Sequence, residues 1–273
     1  MIKYFRDALR ITNNNMILAT PLILFLILIS LYNGMFADTQ NANLLMLNVF
    51  ISLLMWAAFL SGWFYFVNKI ISLFYQNISL EEKVKKAFNF INPMLKGVGE
   101  FFFSYFSAFI MFFGFLMLLM LVVHYIGMHY IGQLNIPVED FINVANSNSQ
   151  EAVEKFVAGI PFDEAVKFLK WSLLSMFAIS VFLYTTMFWF AAIIKQSKNP
   201  IKALYLSNVF LWKNFLSTFI FFVSISVLQL VVMVICGMMS VNPILSFVSL
   251  ILYFYFIVYI VVLIFLYYEK AQN

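Results

Sequence analysis

Phe215 to Met238 reads FLSTFIFFVSISVLQLVVMVICGM, and five residues later Ile244 to Tyr267 reads ILSFVSLILYFYFIVYIVVLIFLY. Neither run contains Asp, Glu, Lys, Arg or His. Each has the length a helix needs to cross a hydrocarbon core about 30 Å thick, roughly 20 residues. The five residues between them, Met239 to Pro243, are enough for a turn and no more. Two such runs joined so closely read as a helix that crosses the bilayer and one that returns.

Working outward, four more runs of the same kind stand at Asn15–Met35, Leu44–Val67, Phe101–Tyr125 and Trp171–Ile194. The expected fold is therefore all-α, a polytopic membrane protein with six transmembrane helices. Composition agrees. Of 273 residues, 64% are hydrophobic and only 10% charged, with mean hydropathy +0.96. A water-soluble domain is nearer half apolar and a quarter charged. Six spans use about 120 residues, and the remainder goes to loops, tails and interfacial segments. No room is left for a separate soluble catalytic domain. The expected layout is one integral membrane domain over residues 1–273. Within it, residues 1–75 form a first hairpin unit, 76–195 a second with an outer segment at 127–170, and 196–273 a third.

The basic residues set the orientation. With the N-terminus inside, the cytoplasmic side receives Lys3, Arg6, Arg10, Lys69, Lys83, Lys85, Lys86, Lys96, Lys195, Lys198, Lys202, Lys213 and Lys270, 13 of the 16. Only Lys155, Lys167 and Lys170 face out, and translocating a basic loop is disfavoured, so both ends are expected in the cytoplasm. The net charge of +4 and pI near 9.0 thus read as topology and headgroup attraction, not nucleic-acid binding. Lys3, Arg6 and Arg10 before the first run imitate a signal peptide. The run is long for one, and a cut after Ala37 would place Met35 where a small residue is wanted, so an uncleaved first helix is expected.

The segments that enter the odd-numbered runs look alike: Ala8-Leu9-Arg10-Ile11-Thr12-Asn13, Ala87-Phe88-Asn89-Phe90-Ile91-Asn92 and Ala203-Leu204-Tyr205-Leu206-Ser207-Asn208. Each reads as a short amphipathic helix in the inner headgroup region, with Asn marking the turn upward. The second opens on a capping box, Ser79 with Glu82, and is expected to end at Pro93, ahead of Gly97, Gly99 and the third span. The third starts at Pro200, a favoured first helical position. Three units of interfacial helix plus transmembrane hairpin result. Between Asn135 and Lys170, Pro137–Ala145 and Ser149–Ala158 read as two short helices. They are either a lid for a partner or ligand, or an amphipathic connector.

With these repeats in hand, the chain resembles a loose group of bacterial six-helix inner-membrane proteins. The group includes the membrane region preceding the catalytic domain of some glycerophosphodiester phosphodiesterases. The resemblance rests on Ala203, Leu204, Ser207 and Asn214, set like an Ala-Leu-x-x-Ser motif with an Asn at the entry to a span. It implies a multi-pass protein of the bacterial cytoplasmic membrane. It transfers no activity, because the catalytic domain of those enzymes has no counterpart here.

No catalytic, cofactor-binding or metal-ligating residue is assigned, and no cofactor is expected. The middles of all six runs lack ionisable groups, which weighs against proton relays and coupling-ion sites. His124 and His129 are five apart and fall on different faces of a helix, so they read as interfacial anchors. Asn48, Ser61, Ser107, Thr185, Thr186, Ser224, Ser226 and Gln229 either line a path or bond a neighbouring helix, with packing favoured. Ala57-x-x-x-Ser61 and Ala58-x-x-x-Gly62 give the second span a close-contact face. Cys236, the single cysteine, reads as core filling. The partners expected are the lipid bilayer and either a membrane-protein partner or a separate ATPase. The functions in contention are a non-catalytic scaffold or accessory component and the permease subunit of a transporter.

Overall fold

The computed structural model describes residues 1–36, 39, 41–76, 89–135, 151, 156 and 158–271. Those residues are helical apart from turns and short connections, with no strand among them. Helix α1 covers Ile2–Asn14 and leads through a 3-10 turn at Met16–Leu18 into α2, Ala19–Gly34. Helix α3 covers Ala42–Phe74, α4 Ile91–Tyr130 and α5 Phe162–Thr186. After a break at Met187 and Phe188 come α6, Trp189–Lys195, and α7, Pro200–Lys213. Helices α8, Phe215–Met239, and α9, Pro243–Lys270, close the series.

Local chemistry explains where these helices begin. Asn41, Asn199 and Asn242 are the residues preceding α3, α7 and α9. Each turns its side-chain oxygen onto the first free amides, for example Asn199 Oδ1 on Ile201 N at 3.0 Å and on Lys202 N at 3.1 Å. Those amides have no carbonyl partner inside the helix, and Asn supplies one. Pro200 and Pro243 follow two of these caps, at the position where a missing N–H costs least.

Among the described residues, six stretches are long and apolar enough to cross a membrane: Met16–Gly34, Ala42–Phe74, Ile91–Tyr130, Phe162–Lys195, Phe215–Met239 and Pro243–Lys270. All six predicted runs fall on them. The fourth, 34 residues interrupted at Met187 and Phe188, is longer than foreseen, and so are the second and third. At 33 and 40 residues and about 1.5 Å per residue they overrun a hydrocarbon core of about 30 Å. Lys69, Lys96 and Glu100 ride on these overhangs. Pro93 does not end a preceding helix, as the sequence had suggested, but sits in the first turn of α4, where proline is tolerated. Gly97 and Gly99 are helical. The expected interfacial helix over Leu80–Ile91 and the two expected outer helices lie mostly or wholly outside the described residues.

Two compact units divide the chain: residues 1–111 with 184–273, and residues 112–183. In the second unit, the rings of Phe112 and Phe182 meet at a tilt of 54° with centres 4.9 Å apart. Trp171 packs against Gly127, where any side chain would collide with the indole, and donates its N–H to the Gly132 carbonyl at 3.0 Å. Gly132 itself adopts φ +87°, left-handed backbone that favours glycine, just past the end of α4. Glu164 accepts hydrogen bonds from Lys167 (2.7 Å) and from the Asn135 amide (3.0 Å).

The first unit packs unevenly. Along α9, Val258, Val262, Leu263, Phe265, Leu266 and Tyr268 are buried, whereas Ile244, Phe247, Val248 and Ile251 toward its start are exposed. The same gradient runs along α3, from exposed Met46 and Phe50 to buried Trp63, Phe66 and Val67. Side chains interlock at the end that carries both termini, and apolar surface faces outward elsewhere. In lipid such surface costs nothing, because acyl chains solvate Leu and Phe as well as a neighbouring helix does.

Candidate functional site

The densest assembly in the first unit lies at its termini-bearing end. Tyr267 is its centre. Its ring stacks on Phe221 at 4.0 Å, meets Tyr4 edge-on at 5.3 Å and lies parallel to Phe188 at 5.8 Å. Its hydroxyl bonds the Ser217 hydroxyl at 2.6 Å. Phe188 and Tyr268 stack at 5.3 Å, and Phe210 of α7 reaches both Tyr267 and Tyr268. Phe188, Phe221 and Tyr268 are fully buried. Phe188 occupies the break between α5 and α6, so the interruption of the helix delivers a ring to this cluster.

Hydroxyl and indole groups tie the helices together around it. Tyr184 and Thr218 share a hydrogen bond of 2.8 Å. Tyr105 donates to the Phe190 carbonyl at 2.9 Å, Trp63 to the Leu18 carbonyl at 2.9 Å and Trp189 to the Pro200 carbonyl at 2.8 Å. Tyr255 bonds Asn13, and Tyr259 reaches the Phe5 carbonyl at 3.5 Å. Carbonyls at Leu18 and Pro200 lie in the first turns of helical segments, whose own backbone leaves them a lone pair for a side-chain donor. The Thr12 hydroxyl is buried and finds no partner among the described residues.

At the rim stand the charges. Lys195 and Glu269 form an ion pair of 2.6 Å, their side chains 13% and 31% exposed. Next to it Tyr268 donates to Gln196 at 2.9 Å. Glu100 pairs with Lys198 at 3.3 Å and Lys96 at 3.7 Å, more openly. Lys270 sits 4.0 Å above the Tyr75 ring, and the Arg10 guanidinium 5.8 Å above Phe74. Burial, with the nearby charges of Asp7 and Glu269, holds the Tyr75 phenol above its ordinary pKa.

Residues singled out from sequence scatter. Ser61, Ser224 and Ser226 bond carbonyls of their own helices at i−3 or i−4, while Ser107 and Gln229 are exposed. Asn48 leaves its oxygen unbonded among the described residues. Thr185 and Thr186 lie beside Tyr184 on α5. His124 packs 6.0 Å from Trp171, and His129 edge-on against Tyr130. Cys236 lines an open groove of about 470 Å³ with Pro243, Ser246, Phe247, Ser249, Leu250 and Tyr253. No group of three or more His, Cys, Asp or Glu converges among the described residues. The interhelical hydroxyls of Tyr184, Ser217, Thr218 and Tyr267 escaped sequence reasoning, since a Tyr in an apolar run carries no mark of its partner.

The entry motif also reads differently in space. Asn15 and Asn214, not Asn13 and Asn208, end α1 and α7. Their side-chain amides donate back to the Ile11 and Phe210 carbonyls at 2.8 and 3.1 Å. Seven residues before each stands a fully buried small residue, Ala8 or Ser207. Asn208 makes a similar bond to Leu204 but within α7, and Asn13 faces Tyr255. An i−4 bond from the Asn side chain supplies a further donor where the helix ends; the Phe210 carbonyl also accepts from the Asn214 backbone N–H at 3.1 Å.

Comparison with known proteins adds one finding. The family model described as the PspC transmembrane region matches residues 71–163, which run from the end of α3 through α4 to the start of α5. No curated protein and no solved structure matches the chain. The six apolar helices describe a multi-pass integral membrane protein, and the match, covering less than half of the sequence, makes that stretch similar to the transmembrane region of the PspC family.

Proposed function

We propose that this chain is a non-catalytic integral membrane component, a scaffold or accessory subunit of a bacterial cytoplasmic membrane, with both termini on the cytoplasmic side. The observation that carries this reading is the ring cluster about Tyr267. Where a transport route or a reaction centre between α5, α7, α8 and α9 would need water and convergent polar groups, Phe188, Phe210, Phe221 and Tyr268 fill the space. Rings packed to this density make a rigid post that holds α1 and α7 in fixed positions. A rigid end with two surface helices suits holding something, a lipid or a protein, better than it suits alternating access.

Purification from its native membrane in mild detergent, with identification of stoichiometric co-eluting proteins, tests the proposal. A membrane-protein complex without an ATPase supports it. A stoichiometric ATPase whose turnover depends on this chain would replace it with the second reading, a permease subunit.

A further inference from the structure

Helices α1 and α7 flank the same post, Tyr267, through Tyr4 at 5.3 Å and Phe210 at 6.4 Å. Each buries one stripe, Ala8, Ile11 and Thr12 on α1, and Ala203, Ser207, Phe210 and Leu211 on α7. What each leaves exposed is unusual for a surface facing water. On α1 it is Ile2, Leu9 and, just beyond the helix, Met16, interleaved with Lys3, Arg6 and Arg10. On α7 it is Ile201, Tyr205 and Trp212, interleaved with Lys202 and Lys213. The Trp212 ring continues downward as a stack on Phe215, 5.7 Å away, and Phe215 on Phe219 at 5.8 Å. That places the basic residues at the head of an apolar ladder.

None of these five cations takes part in an ion pair among the described residues. The bases paired among the described residues, Lys96, Lys167, Lys195 and Lys198, belong to other elements. Asp7, half-buried on α1, lies toward Tyr75. Exposed apolar residues next to unneutralised cations fit one environment, the boundary where acyl chains meet anionic headgroups. We infer that the exposed faces of α1 and α7 form a binding surface for anionic phospholipid headgroups of the leaflet at the termini-bearing end. The inference rests on the membrane-component reading but not on which protein partner, if any, is held.

The test is native mass spectrometry of the full-length protein in detergent, titrated with phosphatidylglycerol or phosphatidylcholine. Circular dichroism monitors the fold of each variant. The wild type should retain the anionic lipid preferentially. Lys3→Gln, Arg6→Gln and Arg10→Gln on α1, and Lys202→Gln with Lys213→Gln on α7, should each weaken it by roughly fivefold per cation removed. Lys170→Gln, an exposed cation of the second unit, should change nothing. Equal retention of both lipids would overturn the inference, as would an undiminished preference after all five changes or an equal loss from Lys170→Gln. So would displacement of the lipid by inorganic phosphate at matched concentration, which would reveal a simple ion site. Should a combined variant fail to fold, salt titration of the wild type decides. The preference must fall as ionic strength rises, and a salt-insensitive preference would count against it.

Discussion

Gly62 of α3 and Gly97 of α4 meet backbone to backbone. A methyl group built on Gly97 would lie 2.9 Å from the Gly62 Cα, 2.8 Å from the Ser61 carbonyl oxygen and 2.6 Å from the Tyr65 Cβ. One built on Gly62 would come within 2.9 Å of the Met94 carbonyl oxygen. Those neighbours are mostly backbone and cannot swing aside. Gly97→Ala should therefore cost about 1–3 kcal/mol, as overpacking of a tight contact does. Gly99 has open space around it, so Gly99→Ala should leave stability unchanged or raise it by about 0.5–1 kcal/mol. Thermal unfolding in detergent, followed by tryptophan fluorescence, separates the two. Equal melting temperatures for both variants would refute the contact.

The pair Lys195–Glu269 should respond asymmetrically. Lys195 is the more buried partner, so Glu269→Gln strands a positive charge with little water around it, while Lys195→Met strands a carboxylate that water reaches. Breaking a fully buried pair costs about 3–5 kcal/mol, and partial exposure should reduce this to about 1–3 for Glu269→Gln and less for Lys195→Met. Chemical denaturation of the two variants checks the order of the losses.

Thr12 offers a gain. Its buried hydroxyl is without a partner among the described residues, so it carries a desolvation cost with no compensating bond. Thr12→Val keeps the shape and should stabilise by up to about 1 kcal/mol. A lower melting temperature for Thr12→Val than for the wild type would show that the hydroxyl is bonded after all.

Tyr75 should titrate late. Its phenol lies above the ordinary value of 10.0, first because of burial and then because Asp7 and Glu269 oppose a new negative charge. The folded state thus holds this proton more tightly than the unfolded one. The resulting stabilisation is complete below pH 10 and is lost as pH rises through the higher folded value. The difference in tyrosinate absorbance between wild type and Tyr75→Phe should show a midpoint above 10; a midpoint at or below 10 would contradict the placement of Tyr75.

Orientation can be read by labelling. In a Cys236→Ser background, a cysteine at Val241, which is 88% exposed, should react with an impermeant maleimide from outside intact cells. One at Ser197 should react only after permeabilisation. The reverse pattern would invert the assignment that Lys and Arg placement suggests.

How much of this was legible beforehand follows from length scales. The six spans are runs of about 20 apolar residues, a signal that needs no knowledge of neighbours. The small-residue face of α3 was equally plain, because Ala58 and Gly62 lie one turn apart in sequence. Its partner Gly97 was visible only as a glycine before a span, and no one-dimensional pattern says which glycine meets which. Pro200 announced the start of α7, but Asn214 and Asn15 as its true counterparts across the repeat did not stand out. Their role depends on where each helix stops.

The sequence alone determined the solvent, the helical class and the six candidate spans, since a bilayer demands helices and runs of about 20 apolar residues from any chain that crosses it. Only the tertiary structure decided which surfaces become core. Among helices that are hydrophobic all round, sequence periodicity cannot choose a face, because lipid and protein reward apolar side chains alike. The choice is made instead by shape and by a few donors, such as Gly97 admitting α3, Trp63 finding the Leu18 carbonyl and Ser217 finding Tyr267.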